Sequence, residues 1–158
     1  MSKSRVEAFS DGVFAIAITL LVLTIAEPSD YGHLGSQLWD RWPSLAAYVV
    51  SFLVIGIMWL NHHSVFNHFE RIDRPLVYLN QLLLLTVVFL PYPTGVLGEA
   101  LRQGEGTQVA ALVYTVTMAI NAYAALAFQF LMAVYYAVDP LSRRAAAGAG
   151  DEPRIAGG

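Results

Sequence analysis

The stretch "RVEAFSDGVFAIAITLLVL", residues 5–23, has three charged residues at its beginning and none after Asp11. Beyond that point it is apolar apart from Thr19. A helix of this composition either lies buried in a protein core or crosses a membrane, and both settings disfavour an unpaired carboxylate. Asp11 therefore needs a partner, which another part of the chain has to supply.

The composition of the whole chain favours a membrane protein. Of its 158 residues, 56% are hydrophobic and 13% are charged, against about 25% charged residues in typical soluble domains. One soluble core of this size could not bury so much apolar surface. The formal net charge of -3 provides no basic field for nucleic acid. Without cysteine the chain cannot form a disulfide or a thiolate metal site, and we expect no cofactor, no metal and no nucleic-acid partner.

Four uncharged runs approach or exceed the length that crosses a membrane, which is about 20 apolar residues. They cover residues 12–26, 42–63, 75–98 and 106–138. The first has 15 residues, so it must take in Asp11 to span a hydrocarbon core of roughly 30 Å. In the third run, Pro91 and Pro93 should break or kink the helix near its far end. The sequence predicts an all-α integral membrane protein with four transmembrane helices.

The end of the chain differs in composition from these runs. The fourth run has 33 residues, too many for one crossing, so we expect one of its ends to project into water. Residues 139–158 are small, polar and rich in glycine, a composition that cannot bury enough apolar surface to fold. We therefore expect a transmembrane domain over residues 1–138 and a disordered tail over residues 139–158.

Lysine and arginine residues are unevenly distributed between the segments that flank the predicted helices. Seven of them precede the first helix, separate the second from the third or follow the fourth: Lys3, Arg5, Arg71, Arg74, Arg143, Arg144 and Arg154. The two opposite loops hold Arg41 and Arg102. Because positively charged flanks remain in the cytoplasm, we expect a multi-pass protein of the cell membrane with both termini cytoplasmic.

This topology places hydrogen-bond donors on the same side of the membrane as Asp11. The second helix ends and the third begins there, in the stretch "WLNHHSVFNHFERIDRPLVYLNQ". The candidate donors that we consider in this stretch are Trp59, His62, His63 and Asn80. A carboxylate that accepts from such donors, with Ser10 beside it, would tie the first three helices together. We therefore expect Asp11 to act in packing and not in permeation.

The first helix has two different faces when its residues are placed about 100° apart. One face carries Ser10, Asp11, Phe14, Ile18, Leu21 and Ile25. The other carries a stripe with the helical spacing i, i+3, i+4, i+7, formed by Ile16, Thr19, Leu20 and Leu23. On spacing alone, the stripe is typical of lipid contact or of ordinary helix packing.

The same stretch resembles a known family. "RVEAFSDGVFAIAITLL" carries the R-x-x-x-F-S-D signature of the transmembrane protein 175 family, potassium channels of endolysosomes and their bacterial relatives. The positions that match are Arg5, Phe9, Ser10 and Asp11. Downstream, "WLNHHSVF" and "YLNQLLLLTVVFLPYPT" resemble the second and third helices of that family. Our chain resembles the first four helices of a six-helix channel subunit.

The resemblance implies a homotetramer whose potassium-permeable pore is lined by the first helix of each subunit. The family narrows at layers of branched apolar side chains, which fall here on Ile16, Leu20 and Leu23, with Thr19 as a polar layer. The polar residues of the signature belong, in the family, to a hydrogen-bond network that joins the first three helices. We expect that structural network to comprise Arg5, Phe9, Ser10, Asp11, Trp59, His63 and Asn80.

These implications predict a subunit of a potassium-permeable cation channel with a hydrophobic constriction, embedded in the lipid bilayer, and not an enzyme. Residues 1–138 would form the channel domain. Proton permeation through the same pore is the first alternative. The second is a membrane metal or haem protein, or an enzyme, that uses "HHSVFNH". It is disfavoured because His62 and His63 would point about 100° apart on a helix, and His68 has Ser64 where an i, i+4 ligand would be.

Overall fold

The computed structural model describes residues 2–28, 31–67 and 73–148, with side chains described as far as Val134 in the last helix. Within these ranges all regular structure is helical. The longer elements are α1 (Lys3–Leu20), α2 (Leu34–Trp39), α3 (Trp42–Asn67), α4 (Arg74–Phe89), α5 (Pro91–Gln103) and α6 (Thr107–Gly148). Two 3₁₀ segments, Leu21–Thr24 and Tyr31–His33, lie between α1 and α2.

In the part of the chain that the structure describes, four helical stretches are long and apolar enough to cross a membrane. They are Lys3–Thr24, Trp42–Asn67, Arg74–Gln103 and Thr107–Val134. The expected all-α architecture with four transmembrane helices is therefore confirmed. The first stretch includes Asp11, as we expected, because the uncharged run after Asp11 is too short to span the membrane by itself. The likeness to part of a six-helix subunit stays a prediction.

The third span is broken where Pro91 and Pro93 predict a break. α4 ends at Phe89, Leu90 forms a turn, and α5 begins at Pro91. Proline lacks the N–H that the preceding turn needs, and its ring clashes with the carbonyl four residues back. Thr94 compensates locally, because its N–H and its hydroxyl both donate to the Leu90 carbonyl, over 3.3 Å and 2.8 Å. α5 is thus a separate helix, joined to α4 through Leu90.

α6 is longer than a membrane crossing requires. Its 42 residues extend about 63 Å at 1.5 Å per residue, roughly twice the thickness of the hydrocarbon core. One end must therefore project beyond the bilayer, as the length of the fourth run indicated. The helix continues to Gly148 and so includes the beginning of the segment in which we expected disorder. Residues 149–158 lie outside the described residues, and the division of the chain after Val138 stays a prediction.

The core lies where α1, α3 and α4 meet, and α6 closes it from one side. Its buried apolar side chains include Phe14 and Leu21 from the first span, Ile55 and Phe66 from α3, Leu84 and Val87 from α4, and Phe128 and Met132 from α6. α1 thus contributes one face to this core. Among the described residues, no helix packs against the opposite face of α1 at Ile16, which is 58% exposed. The candidate functional site lies on this open face.

Candidate functional site

α1 is buried along one side and exposed along the other. Its interior side carries Val6, Ser10, Phe14 and Ala17, and Leu21 continues it. On the opposite side, Ile16 is 58% exposed and Leu23 is 76% exposed. Thr19 and Leu20, which complete the stripe predicted from the sequence, are exposed as well. We call these four residues the α1 stripe; the structure places them together on one open face.

Thr19 gives the α1 stripe its polar position. Its hydroxyl donates to the carbonyl of Ile16 over 2.8 Å, so its single proton is used within the helix. A hydroxyl oxygen has two lone pairs besides, and these remain available on the exposed side. In this conformation Thr19 presents an acceptor, which suits a cation.

Asp11 has its partner on α3. The indole nitrogen Nε1 of Trp59 donates to Oδ1 of Asp11 over 2.8 Å. An indole N–H is only a donor and a carboxylate is only an acceptor, so the direction of this bond is certain. The bond ties α1 to α3, which is one of the connections that the position of Asp11 predicts.

A second set of hydrogen bonds joins α1, α4 and α3 in the interior. Asn80 donates from Nδ2 to Oγ of Ser10 over 2.9 Å, and the Ser10 hydroxyl donates to the Val6 carbonyl, also over 2.9 Å. The Nε2 atom of His62 lies 2.7 Å from Oδ1 of Asn80. Because an amide oxygen can only accept, Nε2 carries the proton. Ser10 and Asn80 are completely buried, so these bonds replace water that cannot reach them.

His62, and not His63, supplies the histidine of this network. The interior side of α3 includes Ile55, Met58, His62 and Phe66. His63 is one residue beyond that side and therefore points about 100° away from it. It stacks on Trp59 with ring centroids 5.7 Å apart, and its Nδ1 lies 3.6 Å from Oε1 of Glu7. The expectation that placed His63 with Asn80 is corrected here, and the apolar spacing along α3 was the sequence signal that selects His62.

Arg5 and Phe9, also expected in the network, lie outside it. Both are exposed, Phe9 to 51%. Among the residues that the structure describes, the Arg5 side chain makes no hydrogen bond or ion pair. The reason is helical geometry: Phe9 is two turns and Arg5 three turns before Ile16, so both fall on the open side of α1. The structure therefore brings together Ser10, Asn80 and His62, with the Asp11–Trp59 pair beside them.

No sequence pattern marked a second polar cluster, which lies between α3, α5 and α6. Oγ of Ser51 lies 2.8 Å from Oγ1 of Thr94 and 3.0 Å from the hydroxyl of Tyr114. Isolated hydroxyl residues are common in helices and carry no signal by themselves. The glycines of α5 were the available hint, because small residues let helices in a membrane approach closely.

The histidines of α3 do not converge on a common ligand position. His62 faces Asn80, whereas His63 faces Trp59 and Glu7. Within the described ranges, no three His, Asp or Glu side chains are grouped as a metal site would need. His68, named in the metal hypothesis, lies outside those ranges.

Known proteins resemble this chain in sequence. The family described as "Endosomal/lysosomal potassium channel TMEM175" matches residues 5–91. A protein named potassium channel from Streptomyces collinus is 56% identical over 131 residues, which are 82% of this chain and 62% of that protein. A potassium channel from Chamaesiphon minutus is 49% identical over 114 residues, 70% of this chain and 56% of that protein. The human "Endosomal/lysosomal proton channel TMEM175" is 44% identical over 101 residues, 58% of this chain and 20% of that protein.

The fold also resembles a solved structure. A crystal structure described as a lysosomal potassium-selective channel TMEM175 homolog from Chamaesiphon minutus matches with a TM-score of 0.76 and 40% sequence identity. The match covers 94% of this chain and 81% of that chain. Our chain spans less than two thirds of the length of the two bacterial relatives.

Proposed function

This chain belongs to the TMEM175 family, and on that premise we propose that it is one subunit of a potassium-permeable cation channel. The family is one of ion channels, and the chain is a multi-pass membrane protein with four apolar helices. Relatives from two bacteria are named potassium channels, and the solved homologue is described as potassium-selective. The observation that carries the proposal is the exposed α1 stripe.

In this proposal, four copies of the chain enclose a pore with their α1 helices. One side of α1 is already buried against α3 and α4, so the α1 stripe is the side left to face a common axis. A cyclic homotetramer would close around that axis. Ile16, Leu20 and Leu23 would each contribute a ring of four apolar side chains, and Thr19 a ring of four hydroxyl oxygens.

Permeation through such a pore depends on removing water from the ion. A narrow apolar ring excludes hydrated ions and can close by dewetting. Potassium gives up its hydration shell more readily than sodium, so the ring favours potassium without binding it. The lone pairs of Thr19 would support the ion where its shell is incomplete. The chain contains no T-V-G-Y-G stretch for a carbonyl-lined filter, and this mechanism needs none.

We assign the polar residues of the signature to orientation of the pore helix. Ser10 and Asp11 bond to α4 and α3 from the side of α1 that is turned away from the α1 stripe. Two bonds to different helices resist rotation of α1 about its own axis. That rotation determines which side chains face the pore, so the network supports permeation without touching the ion.

Reconstitution of the purified chain in liposomes tests the proposed function. With potassium inside and an impermeant buffer ion outside, we expect potassium efflux from vesicles that contain the protein and none from protein-free vesicles. Sodium efflux, measured in the same way, should be slower because sodium holds its water more strongly. Vesicles with assembled protein but no potassium efflux would contradict the proposal.

Proton permeation is the competing function, and the names of the vertebrate relatives favour it for those proteins. A pH-sensitive dye trapped in the same vesicles separates the two. Proton entry down a pH gradient, in preparations that show no potassium efflux, would show that the protein is a proton channel and not a potassium channel.

We also propose that both termini are cytoplasmic, from the uneven distribution of lysine and arginine. Lys3, Arg5 and Arg74 belong to the described part of the chain, and Arg71 and Arg154 lie outside it. Since the chain has no cysteine, single cysteines report sidedness without background. An impermeant thiol reagent added to intact cells should label Glu105→Cys, in the opposite loop, and spare Ser2→Cys. The reverse pattern of labelling would show the inverted topology.

A further inference from the structure

The outer end of the first span rests directly on α5. Here α1 tightens into the 3₁₀ segment Leu21–Thr24. A 3₁₀ helix has three residues per turn, so Thr24 lies on the same side as Leu21, which is completely buried. The Thr24 hydroxyl donates to the Leu21 carbonyl over 2.7 Å. Leu23, the neighbour of Thr24, points instead to the exposed side with the rest of the α1 stripe.

Gly95 is the residue of α5 that meets Thr24. A Cβ atom built at Gly95 would lie 3.1 Å from Cβ and 3.5 Å from Cγ2 of Thr24. Carbon atoms in contact are most stable at about 3.5–4.0 Å, so a methyl group fits between the two segments only if they move apart by a few tenths of an ångström. The backbone of α5 itself is the surface against which the end of the pore helix packs.

α5 is in similarly close contact with α3, on a neighbouring side of the helix. Gly98, one turn after Gly95, approaches α3 so closely that a Cβ there would lie 3.0 Å from Cα of Ser44. α5 therefore has backbone-level contacts with the 3₁₀ segment and with α3 at once.

The hydroxyl cluster of Ser51, Thr94 and Tyr114 also holds α5 in place by a hydrogen bond. Thr94, next to Gly95, donates its one proton to the Leu90 carbonyl over 2.8 Å. Its oxygen therefore accepts from Ser51 on α3 at 2.8 Å, and Ser51 accepts in turn from Tyr114 on α6 at 3.0 Å. Thr94 and Ser51 are buried to at least 99%. α5 is thus hydrogen-bonded to α3, and through Ser51 the chain of bonds continues to α6, close to the point where α5 meets Thr24.

From this arrangement we propose that Gly95 is a positioning residue for the pore. Because Gly95 has no side chain, the 3₁₀ segment can lie close to α5, and this determines the distance of Leu23 from the pore axis. Successive residues of a 3₁₀ helix point about 120° apart. A displacement of Thr24 away from α5 therefore has a component toward the side that Leu23 faces. The proposal rests on the proposed function, in which Leu23 forms the outermost apolar ring.

Gly95→Ala tests the proposal, because the added methyl group must push Thr24 by a few tenths of an ångström. The Leu23 ring should become narrower, so potassium flux in liposomes should fall and the flux of the larger cesium ion should fall further. The expected readout is a lower cesium-to-potassium flux ratio than in the wild type. Gly56→Ala is the matched control, since a Cβ at Gly56 in α3 would meet nothing within 4 Å and should leave the ratio unchanged.

A double variant separates positioning from damage to the fold. Trimming the ring with Leu23→Ala in the Gly95→Ala background should restore cesium flux if the ring had been narrowed, and should restore nothing if the tetramer had been lost. Chemical cross-linking measures the assembled fraction of each variant. An assembled Gly95→Ala protein with the same ratio as Gly56→Ala would overturn the positioning proposal and leave the channel function intact. A wild-type protein without cation flux would overturn both.

The opposite change covers the case in which Gly95→Ala does not assemble. Thr24→Ser keeps the hydroxyl that bonds to Leu21 and removes Cγ2, which after the Thr24 Cβ is the atom nearest to a Cβ built at Gly95. The 3₁₀ segment can then settle toward α5, so the Leu23 ring should widen and the cesium-to-potassium ratio should rise. An unchanged ratio in assembled Thr24→Ser protein would also overturn the proposal.

Discussion

Replacing Ile16 by Asn should increase cation flux and weaken the discrimination of potassium from sodium. Ile16 is 58% exposed on the open side of α1 and would form the apolar ring of the α1 stripe that lies nearest the N-terminus. A ring of amides holds water where a ring of isoleucines excludes it, so ions could pass with more of their shell in place. We expect a rise in flux on the order of tenfold, which corresponds to a barrier lowered by about 1.4 kcal/mol.

The matched control for Ile16→Asn is Phe14→Asn, which makes a similar apolar-to-polar change two residues away. Phe14 is 1% exposed, with its ring centroid 5.3 Å from that of His62. Truncating a buried phenylalanine costs about 3–5 kcal/mol, so this variant should lose assembly and gain no flux. Liposome flux and cross-linking on both variants decide the matter. If Ile16→Asn assembled well and conducted exactly as the wild type does, the α1 stripe would be a packing or lipid-facing surface.

Asn80→Leu should destabilise the subunit more than any substitution at an exposed polar position near it. Asn80 is completely buried and serves two partners, donating to Ser10 and accepting from His62. Leucine fills a similar space but leaves the Nε2–H of His62 without an acceptor. A buried polar group stranded in this way costs about 1–3 kcal/mol, and the lost bond to Ser10 adds to it. Thermal unfolding in detergent, followed by size-exclusion chromatography, measures the loss of folded protein.

Two further variants calibrate the effect of Asn80→Leu. Asn61→Leu changes the same residue type at an exposed position of α3 and should be nearly neutral. Asp11→Asn keeps an oxygen that accepts from Trp59 but loses the charge, and charge-assisted bonds are about twice as strong as neutral ones, so its effect should be intermediate. Equal stability of Asn80→Leu and Asn61→Leu would contradict the buried network. A normally assembled Asp11→Asn protein with altered selectivity would place Asp11 in permeation.

The sequence alone was sufficient to predict the membrane helices, the break in the third span and the two faces of α1. A bilayer forces every backbone polar group into an internal hydrogen bond, so length and apolarity are enough to identify a spanning helix. The break at Pro91 follows from the covalent structure of proline. The α1 stripe was predictable because helical periodicity is a local property, and residues from Ile16 to Leu23 carry it whatever packs nearby.

Which residues of other helices contact the two faces of α1 and the buried side of α3 was decided by the tertiary structure. His62 and His63 have identical chemistry. The apolar spacing along α3 indicates that His62 is the one on the buried side, but only the packing of α3 with α1 and α4 brings it to Asn80. The contact of Thr24 with Gly95 likewise joins residues distant in the chain. Such contacts depend on how closely two backbones approach, to within a few tenths of an ångström. That distance results from the packing of all the helices together, and no local pattern of residues encodes it.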